Sequence, residues 1–128
     1  MAVFIPVLVL FPVFQAHSRS WDPRLLQISD LAYQGQIQQA AVLADQYLQE
    51  NPQDPNAYYF RAMVYDWERN LTDKDPEALK DKSLQYYKEG SNLAFHLWNK
   101  DRENVDKLID IGNGYIFYGR ILSDKGSW

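Results

Sequence analysis

The chain has 128 residues, a formal net charge of -4 and no cysteine. That length fits one domain, which on folding buries somewhat under ~70% of its unfolded surface. The missing cysteine excludes disulfides, cysteine-ligated zinc and thiol nucleophiles, and the acidic balance argues against a nucleic-acid binder, which needs clustered Lys and Arg to displace counterions.

Residues 2–14 read AVFIPVLVLFPVF and carry no charge. A bilayer span needs ~18 to 20 apolar residues, so no stable transmembrane span is expected, but the stretch matches the apolar core of a secretory signal. Ala16 and Ser18 supply the pair of small residues that signal peptidase requires. No Lys or Arg precedes the apolar run, and Pro6 and Pro12 interrupt any helix there. Read on those features, the stretch is instead a short membrane-associating anchor, a misassigned start or an apolar tail packed on a neighbour. The expectation is a cleaved leader over residues 1–18, with residues 19–128 periplasmic or secreted.

Three Asp-Pro pairs then announce helix starts: Asp22-Pro23, Asp54-Pro55 and Asp75-Pro76. An Asp carboxylate accepts the unpaired backbone N–H groups of a first turn, and Pro suits the first helical position. The predicted helices run over about 23–34, 36–50, 55–69, 76–99 and 103–124. In the second of them Ile37, Ala40, Ala41, Ala44, Tyr47 and Leu48 recur at steps of three and four and make one apolar stripe. Asn51-Pro52 closes that unit. Tyr58, Ala62 and Tyr65 make the stripe of the next helix, and small Ala62 permits close approach of a partner. From Trp67 to Lys82 the apolar period fails and charge accumulates, which predicts an expanded connection with a solvated, self-paired surface. The helix after it, with Leu79, Leu84, Tyr87, Leu93, Ala94, Leu97 and Trp98, is long.

A helix-turn-helix signature recurs along this layout. Its fullest copy holds Leu31, Gly35 at the turn, Ala40 and Pro52; a second holds Tyr58, Ala62 and Tyr65; a third holds Tyr115, Gly119, Leu122, Gly126 and Trp128. These residues resemble the tetratricopeptide repeat, with Ile28 standing where the first copy should have a small residue. Ala62 and Gly119 hold equivalent positions but are separated by more than the ~34 residues of a regular repeat, so the middle unit is enlarged. The resemblance implies an all-α fold, an αα-hairpin superhelix with an enlarged middle repeat over residues 19–128. The whole layout is similar to exported bacterial tetratricopeptide-like proteins without an assigned activity. The third copy reaches only the start of its second helix, so the domain is expected to be incomplete at its C-terminus, the alternative being a short tail that folds back.

The resemblance implies protein or peptide binding as the function, in the bacterial cell envelope, rather than catalysis. The first helix of each pair would line a concave groove, and the matching positions are Asn56, Tyr59, Met63, Asp66 and Trp67 in the second copy and Asn113, Ile116, Arg120, Ser123 and Asp124 in the third. The competing reading is that Tyr59, Met63 and Trp67 only pack against the enlarged unit. Two other functions are open: a self-associating structural module, and a docking arm of an enzyme whose catalytic part lies beyond Trp128.

No cofactor or metal site is expected. His96 has no carboxylate one helical turn away, and the run Asp66, Glu68, Asp73, Asp75 and Glu77 lacks the glycine and terminal glutamate of a calcium loop. Gly112-Asn113-Gly114 lacks the ending of a phosphate loop and fits close helix contact or a kink. Asn70-Leu71-Thr72 formally matches a glycosylation acceptor but reads as a polar helix end.

Overall fold

The computed structural model describes residues 21–123. The apolar stretch over residues 2–14, on which the expected leader rests, and Asp124, Gly126 and Trp128 lie outside the described residues. Five helices make up the described part: α1 Pro23–Tyr33, α2 Ile37–Glu50, α3 Pro55–Leu71, α4 Pro76–Lys100 and α5 Val105–Leu122. The protein is all-α, as expected, and among the described residues no helix is long and apolar enough to cross a membrane.

All three Asp-Pro pairs act as N-caps. Asp22 accepts from the Arg24 amide, Asp54 from the Asn56 amide, and Asp75 from the Glu77 and Ala78 amides. Arg24 also donates from its side chain to Asp22, and these hydrogen bonds hold the Asp22 carboxyl below its ordinary range. Gly35 turns the chain between α1 and α2 with a φ of 81°, in the left-handed region that glycine enters without strain. The fifth helix begins at Val105 rather than at 103, because Asn104 is its cap and accepts from the Lys107 amide.

The expanded connection predicted between Trp67 and Lys82 is not there. Helix α3 continues to Leu71, α4 starts at Pro76, and most of the charged stretch is helical. Nor is the stretch uniformly solvated: Asp66 and Arg69 are buried, joined by a 2.6 Å ion pair, whereas Lys74 and Glu68 pair at 2.5 Å with the lysine in solvent. Helix α4 is long, as expected, running for 25 residues.

Helix α3 is central. It packs on α1, α2, α4 and α5, and α5 packs on both α3 and α4, while the backbones of α2 and α4 stay apart. The odd helices therefore form one file, with α2 and α4 in separate places behind it. Asn56 meets Asp110 and Asp66 meets Arg120, so α3 and α5 run side by side in the same direction. Ser83 donates to the Ala62 carbonyl at 2.7 Å and Tyr87 stacks on Tyr59, so α4 runs back antiparallel to α3.

Burial on α3 extends far beyond its predicted stripe. Asn56, Ala57, Tyr59, Phe60, Arg61, Ala62, Met63, Val64, Asp66 and Arg69 are all buried. The core joins Phe60, Met63 and Val64 to Leu25, Ile28 and Ala32 of α1 and to Ala40, Ala44 and Tyr47 of α2. On α4 the buried positions are Leu79, Ser83, Gly90 and Ala94, mostly small residues at helical spacing, which bring its backbone close to α3.

A file of rings crosses the helices: Trp21 against Phe60 at 5.5 Å, Phe60 against Phe117 at 5.6 Å, Phe117 against Tyr59 at 5.7 Å, Tyr59 against Tyr87 at 6.3 Å and Tyr87 against Tyr118 at 4.7 Å. Such offset or tilted ring pairs add to the burial of their area. The high tyrosine content thus serves the interfaces between α3, α4 and α5.

Candidate functional site

The residues carried over from the repeat pattern fall along the contact between α3 and α5. They divide into a buried floor and an accessible row. Asn56 is fully buried and is the hub of the first group: its side-chain amide donates to Asp110 at 2.8 Å and to its own cap Asp54 at 3.2 Å, and its oxygen accepts from Asn113 at 3.4 Å. Both groups of the amide are used, as burial of a polar side chain requires.

Tyr59 is also fully buried, and two glycines make room for it. A Cβ at Gly114 would lie 2.5 Å from the Tyr59 hydroxyl oxygen, and one at Gly90 would lie 2.9 Å from both Tyr58 Cβ and Tyr59 Cε1. Gly114 is the close helix contact expected of the Gly112-Asn113-Gly114 segment; Gly112 faces open space. Burial pushes the Tyr59 phenol well above its usual range, with Tyr87 and Asp110 adding to the effect. Met63 is buried in the core with Phe60 and Val64.

Asp66, at 1% exposure, closes the other end of this contact. Arg69 donates to its Oδ1 at 2.6 Å and Arg120 donates to its Oδ2 at 3.1 Å. Arg69 also donates to the Ser123 carbonyl at 3.4 Å. One carboxylate thus joins α3 to α5 through two guanidinium groups.

Above that floor lies the accessible row. The Arg120 guanidinium sits 4.6 Å from the centre of the Trp67 ring, and Tyr33 and Trp67 meet edge-on at 5.7 Å. Tyr33, Trp67 and Arg120 come from α1, α3 and α5, so the row runs across the file of odd helices. Trp67 lies two residues beyond Tyr65, about 200° round the helix, and Tyr65 faces α4 through Tyr86 at 5.7 Å. The row therefore occupies the side of α3 turned away from α4. Ile116, one turn before Arg120, is 73% exposed. Asn113 is half-buried against Asn56, and Asp124 lies outside the described residues.

Sequence reading did not single out Tyr33, Asp110 or Arg69. Asp110 looks like surface until its partner Asn56 on the neighbouring helix is placed, and Arg69 until Asp66, one turn back on its own helix, is seen to be buried. Tyr33 ends α1 two residues before the turn glycine, a position without a motif of its own.

Elsewhere, a wide groove of about 440 Å³ lies between α1 and α2, lined by Leu31, Val42, Leu43 and four glutamines. None of the candidate residues lines it. Among the described residues no group of His, Asp or Glu side chains could hold a metal ion, and His96 is exposed on α4. No family model, curated protein or solved structure matches the chain.

Proposed function

We propose that the chain is a tetratricopeptide-like scaffold that binds a protein segment or peptide along the face formed by α1, α3 and α5. The observation that carries this reading is the file of odd helices: α3 packs on both helices of the preceding pair, α5 does the same one step on, and α3 and α5 run parallel. Stacked helix pairs of this kind present an extended surface made from the first helix of each pair. Asn56, Tyr59, Met63 and Asp66 form the rigid floor of that surface, and Trp67, Arg120 and Ile116, with Tyr33, offer rings, a cation and an apolar chain to a ligand. The apolar stretch over residues 2–14 supports export, with the work done in the cell envelope.

A second reading is favoured by a separate observation. Helix α5 exposes Val105, Leu108, Tyr115, Ile116 and Leu122, and Gly112 and Gly119 face open space on it. An apolar face of this extent suits a helix of another copy, which makes the protein a self-associating module.

A photocrosslinking residue in place of Ile116 or Tyr33, in the full gene product in its native cell, tests the two. Adducts with one other protein from both positions, weakened by Arg120→Ala, support the groove. Adducts only between copies of the chain support self-association, and none from either position removes the binding reading.

A further inference from the structure

We infer that the Tyr33–Trp67–Arg120 row holds an acidic side chain of a bound peptide, with the neighbouring aromatic or apolar residue of that peptide laid on the two rings. This rests on the peptide-binding reading above and specifies its ligand chemistry.

The charge of the cluster is the first reason. Two guanidinium groups, those of Arg69 and Arg120, converge on the single carboxylate of Asp66. Among the described residues, one carboxylate balances one of them and leaves a surplus positive charge. Arg69 is 9% exposed at its side chain and takes the Ser123 carbonyl as well, whereas the Arg120 side chain is 40% exposed. The surplus is therefore presented to solvent at Arg120.

Geometry is the second reason. Arg120 is bonded to Asp66 through Nε, and its Cζ lies over the Trp67 ring. A guanidinium fixed on one edge and held over a ring loses little freedom when its remaining N–H groups close on a carboxylate. The adjacent surface is aromatic: Trp67 is half-buried, and Tyr33 stands 76% exposed at the end of the row. An exposed tyrosine braced edge-on against a tryptophan is a ready platform for a ligand ring or aliphatic chain.

An acidic side chain fits better than a peptide C-terminus. A terminal carboxylate is usually held by several convergent donors, including backbone amides, and the amides here are engaged within α3 and α5. The surface also continues past Arg120 to Ile116, so a peptide can cross the site rather than end at it.

The test uses the immobilised full chain and two pools of capped, C-amidated peptides. One pool carries an aromatic residue followed by glutamate, the other the same residue followed by glutamine. Glutamate peptides are expected to be retained about tenfold over their glutamine counterparts, as for a charge-assisted bond to a pre-positioned guanidinium. The preference should fall several-fold in 0.5 M salt, by about the screening of a half-exposed pair. Arg120→Gln and Arg120→Lys should both abolish it, the lysine because it neither stacks nor forks. Tyr33→Ala, which leaves the core and Asp66 untouched, should weaken both pools several-fold without changing their ratio.

Equal retention of the two pools overturns the carboxylate site and leaves peptide binding standing; retention of neither overturns both. Preference for a glutamine pool with free C-termini transfers the site to a terminal carboxylate and overturns the side-chain assignment. A glutamate preference that appears only after Asp124→Asn overturns it too, since the chain's own carboxylate would then fill the guanidinium.

Discussion

Tyr59 and Gly114 compete for one volume: the space a β-carbon would take at 114 is already held by the Tyr59 hydroxyl, 2.5 Å away. Gly90 makes room for the same ring from α4, its absent β-carbon 2.9 Å from Tyr59 Cε1 and 3.0 Å from the Pro55 carbonyl oxygen. The middle of the α3–α4–α5 contact is thus shaped as a slot for one ring, and the floor of the proposed binding face depends on it.

Gly114→Ala is expected to lower stability by about 1–3 kcal/mol through overpacking, and Gly90→Ala by a similar amount. Gly112→Ala and Gly119→Ala, whose β-carbons enter open space, are expected to be neutral or to stabilise α5 by up to about 1 kcal/mol. Urea midpoints of the four variants check this; an equal loss at all four positions would contradict the slot.

Three buried or half-buried phenols, those of Tyr47, Tyr59 and Tyr86, couple the fold to alkaline pH, each raised first of all by burial. Burial raises the folded-state pKa of Tyr59 and of Tyr47, and for Tyr47 its hydrogen bond to Asp54 adds to it. A group raised in the folded state contributes fully below its unfolded pKa, here about 10, and the contribution is lost as pH rises above that value. Stability should therefore hold up to about pH 9.5 and then fall by about 1.4 kcal/mol per pH unit for each phenol still protonated in the native state. Tyr59→Phe should flatten the alkaline fall, and a wild-type curve that stays level through this range would show the phenols to be free to ionise.

Asn56 can be probed by shape and by charge. Asn56→Ala removes the bonds to Asp110 and Asn113 from a buried site and should cost about 1–3 kcal/mol. Asn56→Asp keeps the shape but places a carboxylate against Asp110 and Asp54. Its deficit should be large at neutral pH and shrink as the solution is acidified to about pH 4, where carboxylates begin to protonate. A deficit independent of pH would mean that Asp110 is not the opposing charge.

The double ion pair at Asp66 should respond unequally to its members. Asp66→Ala leaves two guanidiniums without their carboxylate and is expected to cost about 3 kcal/mol, because one of them is buried. Arg120→Met should cost no more than about 1 kcal/mol, since its partner keeps Arg69 and the side chain is partly in solvent. Thermal unfolding of the two variants separates the cases, and a reversed order would relocate the anchor to Arg120.

Much of the local structure was legible. The three Asp-Pro caps, the turn at Gly35 and the stripe of α2 appear where short-range rules place them, because an N-cap or a left-handed turn is decided by a few adjacent residues. Two elements were not read correctly for one physical reason. The charged stretch after Trp67 looked like a connection, and Asp66 and Arg69 looked solvated, because a charge reads as surface until its partner is known. For the positions carried over from the repeat pattern, accessibility was not legible. Asn56, Tyr59, Met63 and Asp66 are buried, while Ile116 is exposed and Arg120 is partly so.

By itself the sequence determined what neighbours in the chain can decide: five helices and the Asp-Pro caps that start three of them, the excluded thiol and cysteine-metal chemistry, and the stripe that pairs α2 with its surroundings. Only the tertiary structure decided which faces of α3 are covered, that Gly90 and Gly114 are cut to fit Tyr59, and that Tyr33, Trp67 and Arg120 from three helices share one row. Those relationships join residues far apart in the chain. They follow from how far and in which direction packed helices lie from one another, and periodicity within a single helix carries no record of that.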